Sequence, residues 1–201
     1  MIILALLWIA WCVQHSLLIN RVAHDLAKRI LGAGFPLYRL FYVGFSILSL
    51  VPVLWYQYTL PSQLIVAGTW PWRMGQVVLL VYAGFMFYAG ARVYDMGYFL
   101  GLSQLRNFRK QKKSVSLPFH SDGILAHVRH PWYSGGIALL WGIGSCTDVY
   151  LLTRLILTAY LVLGTLLEET RLEKELGEQY IAYRRKVPML IPGKKRSDRS
   201  L

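Results

Sequence analysis

The sequence has few charged residues, and acidic ones are especially scarce. Charged side chains make up 16% of the 201 residues, with ten acidic residues against 22 lysines and arginines. Hydrophobic residues account for 55% of the chain and aromatic residues for 14%. A soluble domain of this length is less apolar. The composition therefore indicates that most of the chain lies in a lipid bilayer.

Cysteine is also scarce. Cys12 and Cys146 are the two cysteines of the chain, and their spacing matches neither a disulfide framework nor a metal site. No Cys-x-x-Cys-His sequence for covalent haem attachment is present. The first apolar segment has no preceding Lys or Arg and no small-residue cleavage site after it, so we expect residues 1–19 to be a retained helix rather than a signal peptide.

Five apolar stretches predict the membrane spans. A helix needs about 20 residues to cross a hydrocarbon core about 30 Å thick. The predicted spans are residues 1–19, 38–58, 74–94, 132–144 and 149–167. The last two are separated only by residues 145–148, so we expect a tight, tilted hairpin whose glycines allow close packing. The fold class is thus all-α, a polytopic membrane protein of about five transmembrane helices.

The positive charge lies on one side of these spans. Twenty of the 22 lysines and arginines fall within residues 20–39, 92–130 or 168–201, which leaves Arg73 and Arg154 for the other side. The positive-inside rule predicts a cytoplasmic C-terminus and an external N-terminus, in a bacterial inner membrane. The net charge of +12 suits anionic lipid headgroups, and we expect no nucleic-acid partner.

The remaining polar segments complete the predicted organisation. Residues 1–192 are expected to form one membrane domain, and residues 193–201 a basic, disordered tail. Residues 107–116, which read NFRKQKKSVS, are charged and are predicted to be a solvated loop. Residues 168–183 carry apolar positions at helical spacing, so we expect a cytoplasmic helix that continues the fifth span.

Two short segments at the hairpin ends carry chemically active side chains. Arg129 and His130 precede a helix-starting proline, where free N–H groups and the helix dipole suit a carboxylate. The hairpin returns Glu168 and Glu169 to the same side, and carboxylates at that depth are costly unless they are paired or functional. The four groups could form ion pairs only, or they could line a site for a zwitterionic ligand.

These residues belong to a longer pattern that resembles a known family. The pattern is Arg129-His130-Pro131, Tyr133, Gly135, Glu168-Glu169, Leu172, Gly177, Tyr180, Tyr183, Val187-Pro188 and Pro192. It resembles the C-terminal signature of membrane methyltransferases related to isoprenylcysteine carboxyl methyltransferase and phospholipid methyltransferases. Leu176 departs from it, since an aromatic residue commonly precedes the glycine.

The N-terminal half is similar to one particular group of these membrane proteins. Its shared residues are His15-Ser16-Leu17, Tyr38-Arg39-Leu40-Phe41-Tyr42, Asp95, Gly101-Leu102 and Gln104. They are similar to the methanethiol S-methyltransferase group and to its membrane relatives, which include haem-dependent carotene isomerases.

The resemblance implies a division of the chain into two sides. Residues 118–192 would bind S-adenosylmethionine, through Arg129, His130, Tyr133, Glu168, Glu169, Tyr180, Tyr183 and Arg184. Residues 1–100 would meet the methyl acceptor, and the candidate catalytic residues there and just beyond are His15, Arg39, Asp95 and Gln104. His15 could instead be a helix-packing residue, and Asp95 could pair with Arg92.

The resulting hypothesis is a methyltransferase that uses S-adenosylmethionine, needs no metal and methylates a small or lipophilic thiol. Three alternatives remain open: a haem-binding isomerase or reductase relative, a methyltransferase acting on a prenylcysteine carboxylate or a phospholipid amine, and a non-enzymatic membrane component. The sequence leaves the oligomeric state and the acceptor undetermined.

The charge distribution makes a direct prediction about topology. A Lys112→Cys variant should react with a membrane-impermeant maleimide only after the inner membrane is opened, because residue 112 lies in the predicted cytoplasmic segment. Labelling of intact spheroplasts tests this expectation. Reaction at Lys112→Cys from the external side would contradict the assigned orientation.

Overall fold

The computed structural model describes residues 1–109 and 121–193, which form two compact units. Of the described residues, one unit contains Met1–Gln63 and residues 95–109, and the other contains Leu64–Tyr94 and residues 121–193. The predicted tail from residue 194 onward and residues 110–116 of the predicted loop lie outside the described residues. Both units are built from long apolar helices, so the chain is an all-α membrane protein, and its described residues add two short strands.

The elements follow one another in a simple order. They are α1 (Ile2–Ile19), α2 (Arg21–Leu31), α3 (Tyr38–Thr59), β1 (Leu64–Val66), α4 (Trp70–Val93), α5 (Met96–Leu100), α6 (Leu102–Arg109), α7 (Pro131–Gly142), β2 (Cys146–Thr147), α8 (Asp148–Leu176) and α9 (Glu178–Lys186). Short 3-10 helices cover Gly32–Leu37 and Gly123–Ala126.

Polar side chains join α1 to α3 in the first unit. Trp8 Nε1 donates to Gln57 Oε1 at 3.0 Å, and Gln14 Nε2 donates to Ser49 Oγ at 2.9 Å. Between these two bonds, Trp11 Nε1 donates to the carbonyl of Ser46 at 3.1 Å. In lipid, helices gain little from apolar contact with each other, so interhelical hydrogen bonds and close packing associate them.

Small residues allow α4 and α7 to pack closely in the second unit. A Cβ added at Gly135 would lie 3.0 Å from Met86 Cβ and 3.3 Å from the carbonyl oxygen of Ala83. At Gly142 an added Cβ would lie 2.9 Å from the Leu80 side chain. Gly135 and Gly142, two of the glycines predicted to pack the hairpin, therefore face α4. Tyr82 Oη adds a 2.6 Å hydrogen bond to Ser134 Oγ of α7.

Helix α7 is short, and the side chain of Arg154 caps its C-terminus. Its 12 residues span about 18 Å, well short of the hydrocarbon thickness. Arg154, which is 2% exposed, donates from Nε to the carbonyl of Leu140 at 2.8 Å and from a terminal nitrogen to the carbonyl of Ile143. These bonds satisfy carbonyls that the helix itself leaves free. One of the two cations assigned to the external side is thus a buried helix cap.

A small antiparallel ladder was not predicted. Leu64 pairs with Thr147 and Val66 with Cys146, so β1 meets the connection between α7 and α8. The connection that the sequence indicates as a tight turn is therefore partly extended. Cys146 is buried there and Cys12 is buried in α1, both as free thiols.

Four helical segments of the described residues are long and apolar enough to span a membrane: Ile2–Ile19, Arg21–Thr59, Trp70–Val93 and Asp148–Leu176. The number of spans stays a prediction, since α7, which corresponds to the fourth predicted span, is not among these four segments. Two boundaries differ from expectation. Residues 107–109 of the predicted loop belong to α6, and the predicted helix of residues 168–183 is interrupted at Gly177, whose φ is +58°.

The close contact of α4 with α7 predicts that alanine substitutions at two adjacent glycines have very different effects on stability. Gly135→Ala should lower the free energy of unfolding by about 1–3 kcal/mol, because the new methyl group meets backbone and Cβ atoms that cannot move aside easily. Gly136→Ala is the matched control, since its added Cβ would make an ordinary 3.5 Å contact with Leu161. Reversible unfolding in mixed micelles measures both, and equal stabilities would show that this contact is not tight.

Candidate functional site

A buried carboxylate lies at the centre of the second unit's polar residues. Glu169 of α8 is 2% exposed, and its Oε1 accepts hydrogen bonds from Arg129 Nε at 2.6 Å and His130 Nε2 at 3.1 Å. Arg129 and His130 directly precede α7, so this cluster joins the start of α7 to α8. The sequence predicted this proximity from the return of the hairpin.

Arg129 also binds the chain that follows α9. Its Nη1 donates to the carbonyl of Arg184 at 3.0 Å and to the carbonyl of Val187. Its backbone N–H donates to Pro188 at 2.9 Å, and the N–H of His130 donates to Met189 at 3.1 Å. The extended segment after α9 therefore runs beside residues 129 and 130.

Gly177 allows the chain to turn towards this cluster. The positive φ of Gly177 ends α8, and α9 begins at the next residue. Tyr180 of α9 is 1% exposed, and its ring lies 5.8 Å from that of Tyr183. Tyr183 Oη donates to the carbonyl of Leu125 at 2.7 Å, which anchors α9 to the segment before α7.

Burial keeps these two phenols neutral. It raises the pKa of Tyr183 to about 12 and raises the pKa of Tyr180 further above its ordinary value. Both hydroxyl groups therefore hold their protons at physiological pH. They are suited to donating hydrogen bonds and to packing, and not to acting as bases.

Two charged groups next to the buried cluster remain accessible. The Glu168 side chain is 42% exposed and lies 3.9 Å from His130 Nδ1, close to the Tyr133 phenol. The Arg184 side chain is 47% exposed, with its Nε 3.5 Å from Glu169 Oε2 and a terminal nitrogen bonded to Glu173. A carboxylate and a guanidinium can therefore meet a ligand here, whereas Glu169 and Arg129 already bind each other.

An aromatic group near Glu168 comes from a residue that the sequence analysis missed. Tyr94 follows the last residue of α4, and its ring lies 4.9 Å from that of Trp132, edge to face. The ring of Tyr133 lies 5.6 Å from that of His130. Tyr94 lies near enough to Glu168 for the carboxylate to help raise the pKa of the phenol, after burial. The only sequence signal for Tyr94 was its position at the end of the α4 span.

Three of the four acceptor-side residues meet at Tyr98 in the first unit. The guanidinium carbon of Arg39 lies 5.2 Å from the centre of the Tyr98 ring, and Arg39 Nε donates to Phe99 O at 2.8 Å. Asp95 Oδ1 accepts from the Tyr98 N–H at 2.8 Å, which caps α5. Gln104 Nε2 donates to the Tyr98 carbonyl at 3.1 Å. Tyr98 was not among the predicted site residues.

Gln104 has a side-chain oxygen that is unpaired among the described residues, whereas the His15 side chain has partners on two helices. Within residues 1–109 and 121–193, the buried Oε1 of Gln104 has no hydrogen-bond partner. His15 Nδ1 is 3.0 Å from Ser46 Oγ, and its ring stacks on Trp11 at 5.3 Å. His15 thus takes part in the packing of α1 on α3, as its alternative interpretation proposed, and its catalytic role stays a prediction.

Curated relatives of this chain share one name. A methanethiol S-methyltransferase of Crocosphaera subtropica is 30% identical over 194 residues, which cover 92% of this chain and 72% of that protein. Methanethiol S-methyltransferase 1 of Bradyrhizobium diazoefficiens is 29% identical, covering 95% and 66%, and the enzyme of Pseudomonas deceptionensis is 27% identical, covering 93% and 71%. No family model matches the chain, and no solved structure matches it significantly.

The contacts of Arg129 predict that replacing this side chain loosens the structure around it. Arg129→Gln should destabilise the protein by about 3–5 kcal/mol and speed amide exchange at residues 129 and 130, because Glu169 would keep a buried charge with fewer partners. Arg171→Gln is the control, since it removes an exposed pair with Glu175 on α8 that contributes about 0.3–0.5 kcal/mol. Hydrogen exchange with mass spectrometry compares the two variants. Similar effects in both would show that the buried cluster does not organise the site.

Proposed function

Because the chain belongs to the methanethiol S-methyltransferase family, we propose that it is a membrane enzyme that methylates the sulfur of a small or lipophilic thiol with S-adenosylmethionine. The observation that carries this proposal is the similarity over 92% of the chain to a methanethiol S-methyltransferase. When bound, S-adenosylmethionine would supply the methyl group: the bond from the methyl carbon to the sulfonium sulfur would break as the bond to the acceptor sulfur forms. The products would be a thioether, S-adenosylhomocysteine and the thiol proton, which is released to water.

The accessible groups of the second unit suit the amino-acid part of the methyl donor. An ammonium and a carboxylate on one ligand need an anion and a cation side by side. Glu168 and Arg184 provide these charges, and each is partly exposed. The aromatic rings of Tyr133 and Tyr94 lie near Glu168 and suit a sulfonium or an adenine. We assign ligand contacts to these four residues.

The buried residues of the second unit have a positioning role in this proposal. Glu169 binds Arg129, His130 and Arg184, so it fixes the N-terminus of α7 and the direction of Arg184. Arg129 is committed to protein carbonyls and to Glu169. Charged groups held by such bonds lose little freedom on binding a ligand, which improves affinity.

The acceptor side in this proposal is the group around Tyr98. Methyl transfer to sulfur needs the thiolate, and a neighbouring cation lowers the pKa of a thiol from about 8.5. Arg39 provides a cation at Tyr98, and the buried oxygen of Gln104 can accept a hydrogen bond from an acceptor thiol. Alignment of the acceptor with the methyl group then supplies most of the rate enhancement.

We further propose an orientation for the integral membrane protein. Its relatives are bacterial, and the distribution of lysine and arginine favours an inner-membrane location with α9 and the C-terminus in the cytoplasm. A cytoplasmic position of α9 gives the donor site direct access to the water-soluble methyl donor. The acceptor can arrive from the bilayer or its surface.

If one side binds the methyl donor and the other the acceptor, two charge-removing substitutions should affect different quantities, donor affinity in one case and kcat in the other. Glu168→Gln should weaken S-adenosylmethionine binding about tenfold, because a charge-assisted contact is lost. Asp95→Asn keeps an N-cap for α5 and should keep normal donor affinity, yet lower kcat for thiol methylation, because only acceptor alignment changes. Calorimetry and product analysis with labelled donor measure the two quantities.

The experiment includes a control on the same helix as Glu168. Glu175→Gln removes a carboxylate that pairs with Arg171 and should change neither quantity. Unchanged donor affinity in Glu168→Gln would remove the donor assignment. Equal loss of donor affinity in Asp95→Asn would contradict the separation into two sides, and absence of any labelled thioether with the unmodified protein would contradict the proposed reaction.

A further inference from the structure

Helix α2 has an apolar stripe that is exposed among the described residues of its unit. Val22, Leu26 and Ile30 recur every four residues, which places them on one side of the helix. They are 75%, 55% and 72% exposed. We call these three residues the apolar stripe. Large side chains this exposed on a short helix mark a surface that meets an apolar partner.

The rest of α2 divides into two further faces. Ala27 is buried, and the ring of His24 packs edge to face on Phe35 at 4.6 Å, so this side faces the protein. Arg21, Lys28 and Arg29 are exposed on the remaining side, with Asp25 as the one acidic residue of the helix. We call the three cations the basic face. A helix with protein, apolar and charged faces fits the boundary between a protein, a lipid layer and water.

Helix α2 lies along the chain between two apolar helices. Helix α2 follows α1 after Asn20, whose side chain accepts from the Ala23 N–H at 2.8 Å, and it precedes α3. Both neighbours belong to segments long and apolar enough to span a membrane. Eleven residues rise only about 16 Å, and four of them are charged, so α2 itself is too short and too polar to cross.

We propose that α2 is an interfacial helix that lies along an anionic lipid leaflet, with the apolar stripe among the acyl chains and the basic face on the headgroups. Amphipathic helices of this composition bind at the level where headgroups meet acyl chains, and their affinity rises with anionic lipid. The three cations against one acid select anionic headgroups over neutral ones. This role is independent of the methyl transfer proposed above.

Depth-dependent quenching tests the position of the helix. Val22→Cys, Leu26→Cys and Ile30→Cys are made in a background in which Cys12 and Cys146 are replaced by alanine, and an NBD label is attached to each. Asp25→Cys and Lys28→Cys are the matched controls on the charged side. In nanodiscs of phosphatidylcholine and phosphatidylglycerol with one protein per disc, doxyl-labelled acyl chains should quench the three stripe positions and leave the controls unquenched.

Amide exchange tests the choice of lipid. Replacing phosphatidylcholine with phosphatidylglycerol should slow exchange of the α2 amides about tenfold or more, and the triple variant Arg21→Gln, Lys28→Gln, Arg29→Gln should lose this difference. Equal exchange in both lipids would overturn the headgroup assignment. Unquenched stripe labels would overturn the lipid assignment, whether the labels are in water or covered by another protein chain.

Discussion

The buried carboxylate of Glu169 constrains the second unit more than any other group. An ionised carboxylate away from water is stable only when donors surround it, and here Arg129, His130 and Arg184 do so. These donors come from the residues before α7 and from α9. Satisfying one charge therefore fixes the position of three parts of the chain.

This constraint explains how the hairpin of α7 and α8 can present charged side chains with defined directions. Arg184 is half exposed, yet its Nε lies near Glu169 and its end binds Glu173. The hydrogen bond and the charge of Glu173 raise the pKa of Arg184 above its ordinary value. Glu168 lies 3.9 Å from Nδ1 of the buried His130. The buried pairs thus order the accessible ones.

The sequence was sufficient to predict features that depend on local pattern. Long apolar stretches located α1, α3, α4 and α8, because the bilayer sets their length. The segment RHP and the pair Glu168 and Glu169 were predicted to meet, since a hairpin returns the chain to its starting side, and the structure places them in contact. The family resemblance was confirmed by relatives that match most of the chain.

Contacts between elements that are distant in the chain could not be predicted from the sequence. The pairing of β1 with β2 joins residues about 80 positions apart, and neither strand has an alternating pattern long enough to recognise. Arg154 was counted as an external cation, because nothing in its neighbourhood shows that it binds the carbonyls of α7. Tyr94 and Tyr98 were missed for the same reason, since their importance comes from the groups they contact.

The contacts of Arg129 also determine an order of events during biosynthesis. Its partners Glu169, Arg184 and Val187 lie 40, 55 and 58 residues later in the chain. At about 5–20 residues per second, the ribosome takes several seconds to make them after Arg129 has emerged. During that interval the guanidinium has no native partner and must stay in water. Residues 129 and 130 can therefore reach their native hydrogen-bonded arrangement only after α8 and α9 have been made and α9 has turned back.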